Sequence, residues 1–200
     1  SDEEVGGSST AFMIGKGYGA KKLAIVLDSE QYVITTRQKG LANYTATATE
    51  KPMHTGLVKG PIPNAVRRLA QAYEAIAKEF SDYEDGSWRD VVSIEKISGE
   101  RTKAEMSITV RCATPGGWER IEKVIREKTG CEIKNTRKSE PVILDESQPY
   151  LVEFRERMRR RWPERNCGFY HLNSTTDARH VQKIGVPMLI LCVDASGGHT

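Results

Sequence analysis

The chain has 200 residues, of which 38% are hydrophobic and 28% are charged, and its formal net charge is +3. This composition indicates a globular chain long enough to bury a core, and the small net charge gives no reason to expect nucleic acid or an anionic membrane as a partner. No apolar run in the sequence reaches membrane-spanning length, and the four cysteines lack CxxC spacing. We therefore expect a reduced, cytoplasmic protein.

Both ends of the chain predict α/β structure. An unbroken apolar run from Leu23 to Leu27 ends at Asp28, and such a run suits a strand that is buried on both faces of a parallel sheet. Near the other end, Met188 to Val193 form a second run of this kind. A short helix is predicted from Thr176 to Gly185, and a longer amphipathic helix is predicted in ESQPYLVEFRERMRRRW.

The middle of the chain has a different pattern. From Leu41 to about Lys138 the order strand–helix–strand–strand–helix–strand is predicted, with Pro63 near the first turn of one helix and Gly130 closing the other. In EMSITVRC the apolar residues alternate with polar ones, so one face of that strand should be open. This βαββαβ order is that of a ferredoxin-like domain. We place it at residues 38–140, inserted in an α/β domain formed by residues 1–37 and 141–200.

Six short motifs follow one another along this layout. They are DEEVGG at Asp2, LDSE at the end of the first strand, HTG at His54, VRCATP at Arg111, TTDARH from Thr175, and GGHT at His199. In this order the chain resembles the di-zinc amidohydrolase and exopeptidase family that includes aminoacylase, carboxypeptidase G, acetylornithine deacetylase and succinyl-diaminopimelate desuccinylase. The resemblance implies a zinc-exopeptidase-like α/β catalytic domain interrupted by a ferredoxin-like lid, through which two copies form a homodimer. It also implies hydrolysis of an amide or peptide bond in an N-acyl amino acid or small peptide.

The resemblance assigns roles to the residues of the catalytic domain. Glu3 would be the general base that takes a proton from a metal-activated water, while Glu4, Asp28 and His199 would be metal ligands. The complete active site would hold two zinc ions, with cobalt or manganese as substitutes. Two different carboxylates suit this chemistry, because a carboxylate committed to the metal cannot also accept the proton. The simpler interpretations are a solvated chain end for the glutamates and an ordinary strand-end aspartate for Asp28.

The resemblance also assigns residues to the substrate. His54 would reach the active site of the partner subunit and stabilise the oxyanion of the tetrahedral intermediate. Arg111 would bind a substrate carboxylate as a bidentate fork, and Arg179 lies in a segment on the substrate side. A surface-loop histidine and a solvated arginine are the alternatives for the two lid residues. Asp177 is equally suited to the start of a helix, where the helix dipole favours a negative charge.

Two parts of the family pattern are missing. The family's histidine-x-aspartate ligand motif lies upstream of the DEE segment, and this sequence contains no such motif. Its Asn-x-(Ile/Val)-Pro segment before the lid arginine is also absent. We therefore expect a piece of a longer enzyme that alone binds zinc weakly and hydrolyses N-acyl amino acids negligibly. The alternative is a non-catalytic dimerising α/β module, or a degenerate family member without bound metal.

Overall fold

The computed structural model describes residues 7–29, 31–54, 56, 59–83 and 85–192. Two compact units are present, one formed by Gly40–Glu140 and the other by Ser1–Lys39 together with Pro141–Thr200. We call the first unit the lid unit and the second the α/β unit. The helices are α1 (Ser8–Gly15), α2 (Ala65–Ala77), α3 (Trp118–Thr129), α4 (Pro149–Arg161) and α5 (Ala178–Val181). The strands are β1 (Ala24–Leu27), β2 (Ile34–Gln38), β3 (Gly40–Thr49), β4 (Val91–Gly99), β5 (Lys103–Cys112), β6 (Glu132–Ser139), β7 (Val142–Ile143), β8 (Phe169–Leu172) and β9 (Met188–Leu191).

The lid unit is a four-stranded antiparallel sheet with the strand order β4-β5-β3-β6. Helix α2 connects β3 to β4, and α3 connects β5 to β6, so the βαββαβ prediction is confirmed. Strands β3 and β5 pair along their whole length, from Gly40 opposite Cys112 to Thr49 opposite Lys103. Strands β4 and β6 are the two edges.

Both lid helices contribute to one core with the inward residues of the sheet. Strand β5 buries Met106, Ile108, Val110 and Cys112, as the alternation predicted. Helix α2 begins after Asn64, whose side-chain oxygen accepts a hydrogen bond from the backbone N–H of Arg67 at 3.0 Å. This is an N-cap that stabilises the first turn, and Pro63 precedes it rather than lying in the helix. The buried residues of the two helices include Leu69, Ile76, Trp118, Ile121 and Ile125.

The α/β unit contains two small sheets. Strands β1 and β9 form a parallel pair, and β2 pairs with β7 on one side and β8 on the other. Strand β9 is buried on both faces: Met188 and Ile190 join a cluster with Ala178, while Leu189 joins one with Leu151. The sequence prediction of a strand covered on both sides is therefore confirmed for β9.

The same prediction is wrong for β1. Ala24 and Val26 are buried, but the alternate residues Ile25 and Leu27 are 55% and 60% exposed. The physical reason is that, among the described residues, the side chains that cover Leu189 on the second face of β9 do not extend over Ile25 and Leu27 of β1. An apolar run shows that a strand can be buried on both faces, but whether it is depends on which segments pack against it.

The helices of the α/β unit differ in length from the prediction. The helix expected from Thr176 to Gly185 is only the single turn of α5 followed by a 3₁₀ turn, Gln182–Ile184, which ends at Gly185 with φ 76°. Helix α4 buries Leu151 and Met158, as its apolar spacing predicted. None of the described helices is long and apolar enough to cross a membrane.

Candidate functional site

Asp28 lies immediately after β1, at the carboxyl end of a parallel strand pair. Leu27 is in register with Leu191, the last residue of β9, so the two strands end at the same edge of the sheet. Asp28 is half-buried there. Ligand sites in open α/β sheets gather at the carboxyl ends of the strands.

The other residues predicted for the metal centre, Glu3, Glu4 and His199, lie outside the described residues. Within the described ranges, no group of three or more His, Cys, Asp or Glu side chains is arranged to hold a metal ion. Asp28 is therefore the one predicted ligand that the structure places. The predicted donors, two carboxylates and an imidazole, are of the kind that zinc takes, and Asp28 lies at a sheet edge that suits such a site.

A polar cluster lies at the start of α1, where the DEEVGG segment enters the described part of the chain. Gly7 is the N-cap of α1 and has left-handed backbone angles, φ 58° and ψ 40°. The hydroxyl of Thr10 donates a hydrogen bond to Oδ2 of Asp177 at 2.5 Å. A Cβ atom added to Gly7 would clash with Oδ1 of Asp177 and would lie 2.8 Å from its Cγ. The carboxylate of Asp177 is thus packed directly against the backbone at Gly7.

Arg179, predicted to contact the substrate, is buried next to this carboxylate. Its side chain is 4% exposed, and Nη2 lies 3.7 Å from Oδ1 of Asp177. Nη1 donates to the backbone oxygen of Thr176 at 2.9 Å, and Nε donates to Nε2 of His180 at 3.2 Å. Because three of its nitrogens face groups of the protein, the structure does not present this guanidinium to solvent. Its contact with a substrate stays a prediction.

The turn that carries Asp177 and Arg179 is attached to β2. The amide of Gln38 donates to Oγ1 of Thr176 at 2.9 Å, and the same oxygen accepts the backbone N–H of Ala178 at 3.2 Å. Gln38 and Thr176 are both buried, which makes these hydrogen bonds costly to lose. Sequence reasoning missed Gln38 and Thr10, because neither belongs to a motif and their partners are more than 130 positions away in the chain.

A second polar cluster of the α/β unit joins β2 to β8. Glu146 accepts a hydrogen bond from the hydroxyl of Thr36 at 2.8 Å and lies 3.2 Å from Nε2 of His171. Burial alone would raise the pKa of Glu146, but the hydrogen bonds from Thr36 and His171 lower it below its ordinary value. No motif or periodicity in the sequence predicted this cluster.

In the lid unit, the structure does not bring His54 and Arg111 together. His54 is exposed in the loop after β3. The backbone oxygen of the neighbouring Met53 accepts a hydrogen bond at 2.9 Å from Nη2 of Arg101, which lies in the turn between β4 and β5. Arg111 is half-buried at the other end of the sheet, in register with Leu41. From Leu41 to Thr49, the last residue of β3, the chain advances by eight residue steps, a strand length of about 27 Å.

Three titratable side chains of the lid unit, Tyr44, Glu122 and Lys138, are linked by hydrogen bonds. Tyr44, which is 2% exposed, donates its hydroxyl to Oε1 of Glu122 at 2.8 Å, and Lys138 donates to the same oxygen at 2.9 Å. Burial would raise the pKa of Glu122, but the hydrogen bonds from Lys138 and Tyr44 hold it below its ordinary value. Burial, with the adjacent Glu122 carboxylate, raises the pKa of Tyr44 far above its ordinary value.

Comparison with known proteins gives a family match and a set of similar folds. Residues 36–136 match the family model described as M20_dimer, peptidase dimerisation domain. No curated protein matches the sequence at a significant level. Among solved structures, a tripeptidase from Staphylococcus aureus is similar with a TM-score of 0.77 and 14% identity, over 99% of this chain and 55% of that one.

Two further structures show the same fold. The aminopeptidase PepT from Bacillus cereus matches with a TM-score of 0.75 and 17% identity, over 100% of this chain and 56% of that one. The di-peptidase Dug1p from Saccharomyces cerevisiae matches with a TM-score of 0.67 and 11% identity, over 98% of this chain and 58% of that one. This chain therefore spans a little over half the length of these three structures.

Proposed function

Because the chain belongs to the peptidase dimerisation domain family, M20_dimer, and has the fold of metallopeptidases and amidohydrolases, we propose that it forms part of a metal-dependent hydrolase. Its substrate would be an N-acyl amino acid or a small peptide, cleaved at an amide bond. The observation that carries this proposal is the position of Asp28, at the carboxyl end of β1 and beside the end of β9. We further propose a cytoplasmic location, with which the four free cysteines agree.

In the proposed reaction, different residues of the chain bind the metal, accept the proton and orient the substrate. Glu4, Asp28 and His199 would hold the metal. When bound, zinc supplies a Lewis acid that polarises the scissile carbonyl and makes a water a better nucleophile. Glu3 would accept the proton that this water loses on attack, and His54 would donate a hydrogen bond to the oxyanion that develops. Arg111 and Arg179 would orient the substrate through its carboxylate.

The geometry of the lid unit bears on whether His54 and Arg111 act on a substrate from the same subunit or from different subunits. His54 and Arg111 lie at opposite ends of one sheet, separated by a strand length of about 27 Å, which exceeds the span of an N-acyl amino acid. We therefore expect that a single lid does not supply both residues to one substrate. A two-fold homodimer could supply one from each subunit, which supports the proposal that two copies share their active sites through the lid.

The exposed face of β1 fits a chain that forms part of a larger domain. Ile25 and Leu27 present apolar side chains on one face of a parallel strand pair, and parallel sheets are normally covered on both faces. The similar solved structures are nearly twice as long as this chain. We propose that the remaining part of a full-length catalytic domain covers this face.

Metal content and chelation of the full-length protein test the proposal. We expect about two zinc ions per chain by elemental analysis, as the two-metal chemistry requires, and hydrolysis that a chelator removes and added zinc restores. Asp28→Asn should lower both zinc content and turnover. Asp145→Asn is the matched control, because Asp145 is an aspartate of the same unit that bonds only to its neighbours Ser147 and Gln148 in the described structure. A wild-type protein without metal or activity would instead support the non-catalytic dimerising module.

A further inference from the structure

We propose that Asp177 is a positioning residue that fixes the junction between the DEEVGG segment and α1, and so sets where Glu3 and Glu4 can lie. This inference rests on the proposed function, because it gives Asp177 a part in the same active site. Asp177 itself touches neither metal nor substrate in this proposal. It acts through the backbone at Gly7 and through the side chain of Thr10.

The first step is the contact itself. One carboxylate oxygen of Asp177 accepts the hydroxyl of Thr10, in the first turn of α1, and the other lies against the backbone of Gly7. That second oxygen, Oδ1, is buried and accepts no hydrogen bond within the described part of the chain. A buried carboxylate oxygen in this position fixes Gly7 closely, because even a methyl group would not fit between them.

The second step is that Asp177 is itself held in place. The guanidinium of Arg179 lies 3.7 Å from Oδ1 and balances the negative charge, and it is anchored to the backbone oxygen of Thr176. Thr176 is in turn bonded to the buried amide of Gln38, the last residue of β2. The carboxylate is thus connected to the end of a strand, through its ion pair with Arg179 and the buried hydrogen bonds of Thr176, so it can act as a fixed reference point.

The third step is that α1 buries none of its own residues. All eight residues of α1 are described, and none of them is buried; Phe12 and Met13 are 61% and 44% exposed. Its N-cap residue, Gly7, has no side chain to cap the helix. An amphipathic helix is normally held by a buried apolar face, and α1 lacks one in this structure. Polar contacts such as that of Thr10 with Asp177 therefore restrain its first turn.

The last step connects this junction to the proposed chemistry. Glu4 is three residues before Gly7 and Glu3 is four, so even a fully extended chain places them within about 11 Å and about 14 Å of it. Because both positions are so few residues from Gly7, we expect that a change in the backbone direction at Gly7 would move their carboxylates. A displacement of about 1 Å at a catalytic group can cost about a hundredfold in rate. Asp177 would therefore influence turnover without contacting the substrate.

Two threonine substitutions in the full-length protein test the inference. Thr10→Val removes the hydroxyl with almost no change in volume, whereas Thr10→Ser keeps it. We expect Thr10→Val and Asp177→Asn each to lower kcat about tenfold or more with KM within about twofold, because a misplaced base affects the transition state and not ground-state binding. Thr10→Ser should restore kcat to within about twofold of the wild type. The double variant should be no worse than either single one, since both break the same contact.

Asp145→Asn removes a carboxylate with local hydrogen bonds elsewhere in the same unit and should leave kcat unchanged. A wild-type kcat in Thr10→Val would overturn the inference. It would also be overturned if kcat fell in proportion to Tm in every variant, the Asp145→Asn control included, because that would show a general loss of stability. Additive losses in the double variant would also overturn it.

Hydrogen exchange separates a failure of this inference from a failure of the proposed function. We expect the backbone amides of residues 8–12 to exchange faster in Thr10→Val and Asp177→Asn than in the wild type or Asp145→Asn. If the wild-type protein has no hydrolytic activity, the proposed function fails and the exchange measurement alone decides whether Asp177 anchors the junction. Unchanged exchange in both variants would show that it does not.

Discussion

Tyr44→Phe tests whether the hydrogen bond between Tyr44 and Glu122 stabilises the lid unit. The substitution removes one hydroxyl and leaves the ring in place. The lost bond joins a buried donor to a charged acceptor at 2.8 Å, and such bonds contribute about 1.5–3 kcal/mol. Glu122 keeps its contact with Lys138 and is 26% exposed, so we expect the lower end of this range, a loss of about 1.5 kcal/mol.

The assay is urea unfolding of a fragment spanning Gly40–Glu140, followed by the fluorescence of the buried Trp118. For a domain of about 100 residues, a loss of about 1.5 kcal/mol corresponds to a fall in Tm of about 6–12 °C. Glu122→Gln and the double variant complete a double-mutant cycle, in which we expect a coupling energy of about 1 kcal/mol. A free energy of unfolding in Tyr44→Phe within about 0.3 kcal/mol of the wild type, or strict additivity, would refute the reasoning.

The same bond predicts a pH dependence. The pKa of Glu122 is lower in the folded lid than its ordinary value of 4.5, which it regains on unfolding. The unfolded chain therefore binds the proton more readily, so the stabilisation is complete above that ordinary value and is lost as the pH falls through the folded pKa. Tyr44→Phe removes one cause of the lowered pKa. The difference in stability between the two proteins should therefore shrink in acid.

Two further predictions concern the lid. The Gly40–Glu140 fragment should sediment as a symmetric dimer at high micromolar concentration, because the backbone N–H and C=O groups of its edge strands β4 and β6 can pair with another chain. If the fragment sediments as a monomer, the proposal that His54 acts in the partner's site loses its support. Burial raises the pKa of the Cys112 thiol to about 11, so only about one thiol in a thousand is ionised at pH 8. Mass spectrometry after iodoacetamide treatment of the native chain should find Cys112 unmodified, and rapid labelling would contradict its burial.

The lid could be predicted from sequence because its periodicity is regular. Met106, Ile108 and Val110 alternate along β5, and Trp118, Ile121 and Ile125 recur at helical spacing along α3. Gly130 ends that helix with φ 56°, which glycine adopts without strain. Each of these helices and strands packs on one face only, so the apolar spacing within its own sequence is enough to predict it.

The α/β unit was harder to predict, because its burial depends on distant partners. Strand β2, with the sequence ITTRQ, is polar but almost wholly buried, since Thr36 and Gln38 bond to Glu146 and Thr176 from the far end of the chain. Polar residues in sequence predict exposure, and only the fold reveals that these are satisfied by hydrogen bonds. Helix α1 gave no signal either, because none of its residues is buried.

The candidate site was predictable only in part for the same reason. Asp28 could be placed because it ends an apolar run, and strand ends are where ligand sites form. The burial of Arg179 beside Asp177 has no local signature, since it depends on contacts with Thr176 and His180 that a motif does not specify. The separation of His54 from Arg111 became apparent only from the pairing of β3 with β5.

The central proposal is that this chain supplies both a catalytic base and metal ligands to a hydrolase. The most direct test compares Glu3→Gln with Glu4→Gln in the full-length protein, measuring zinc content and turnover of N-acyl amino acids on the same samples. We expect Glu3→Gln to keep its zinc and lose turnover by about a hundredfold or more, as loss of a general base does, and Glu4→Gln to lose zinc and turnover together. Loss of zinc in Glu3→Gln, or full activity in either variant, would contradict these roles.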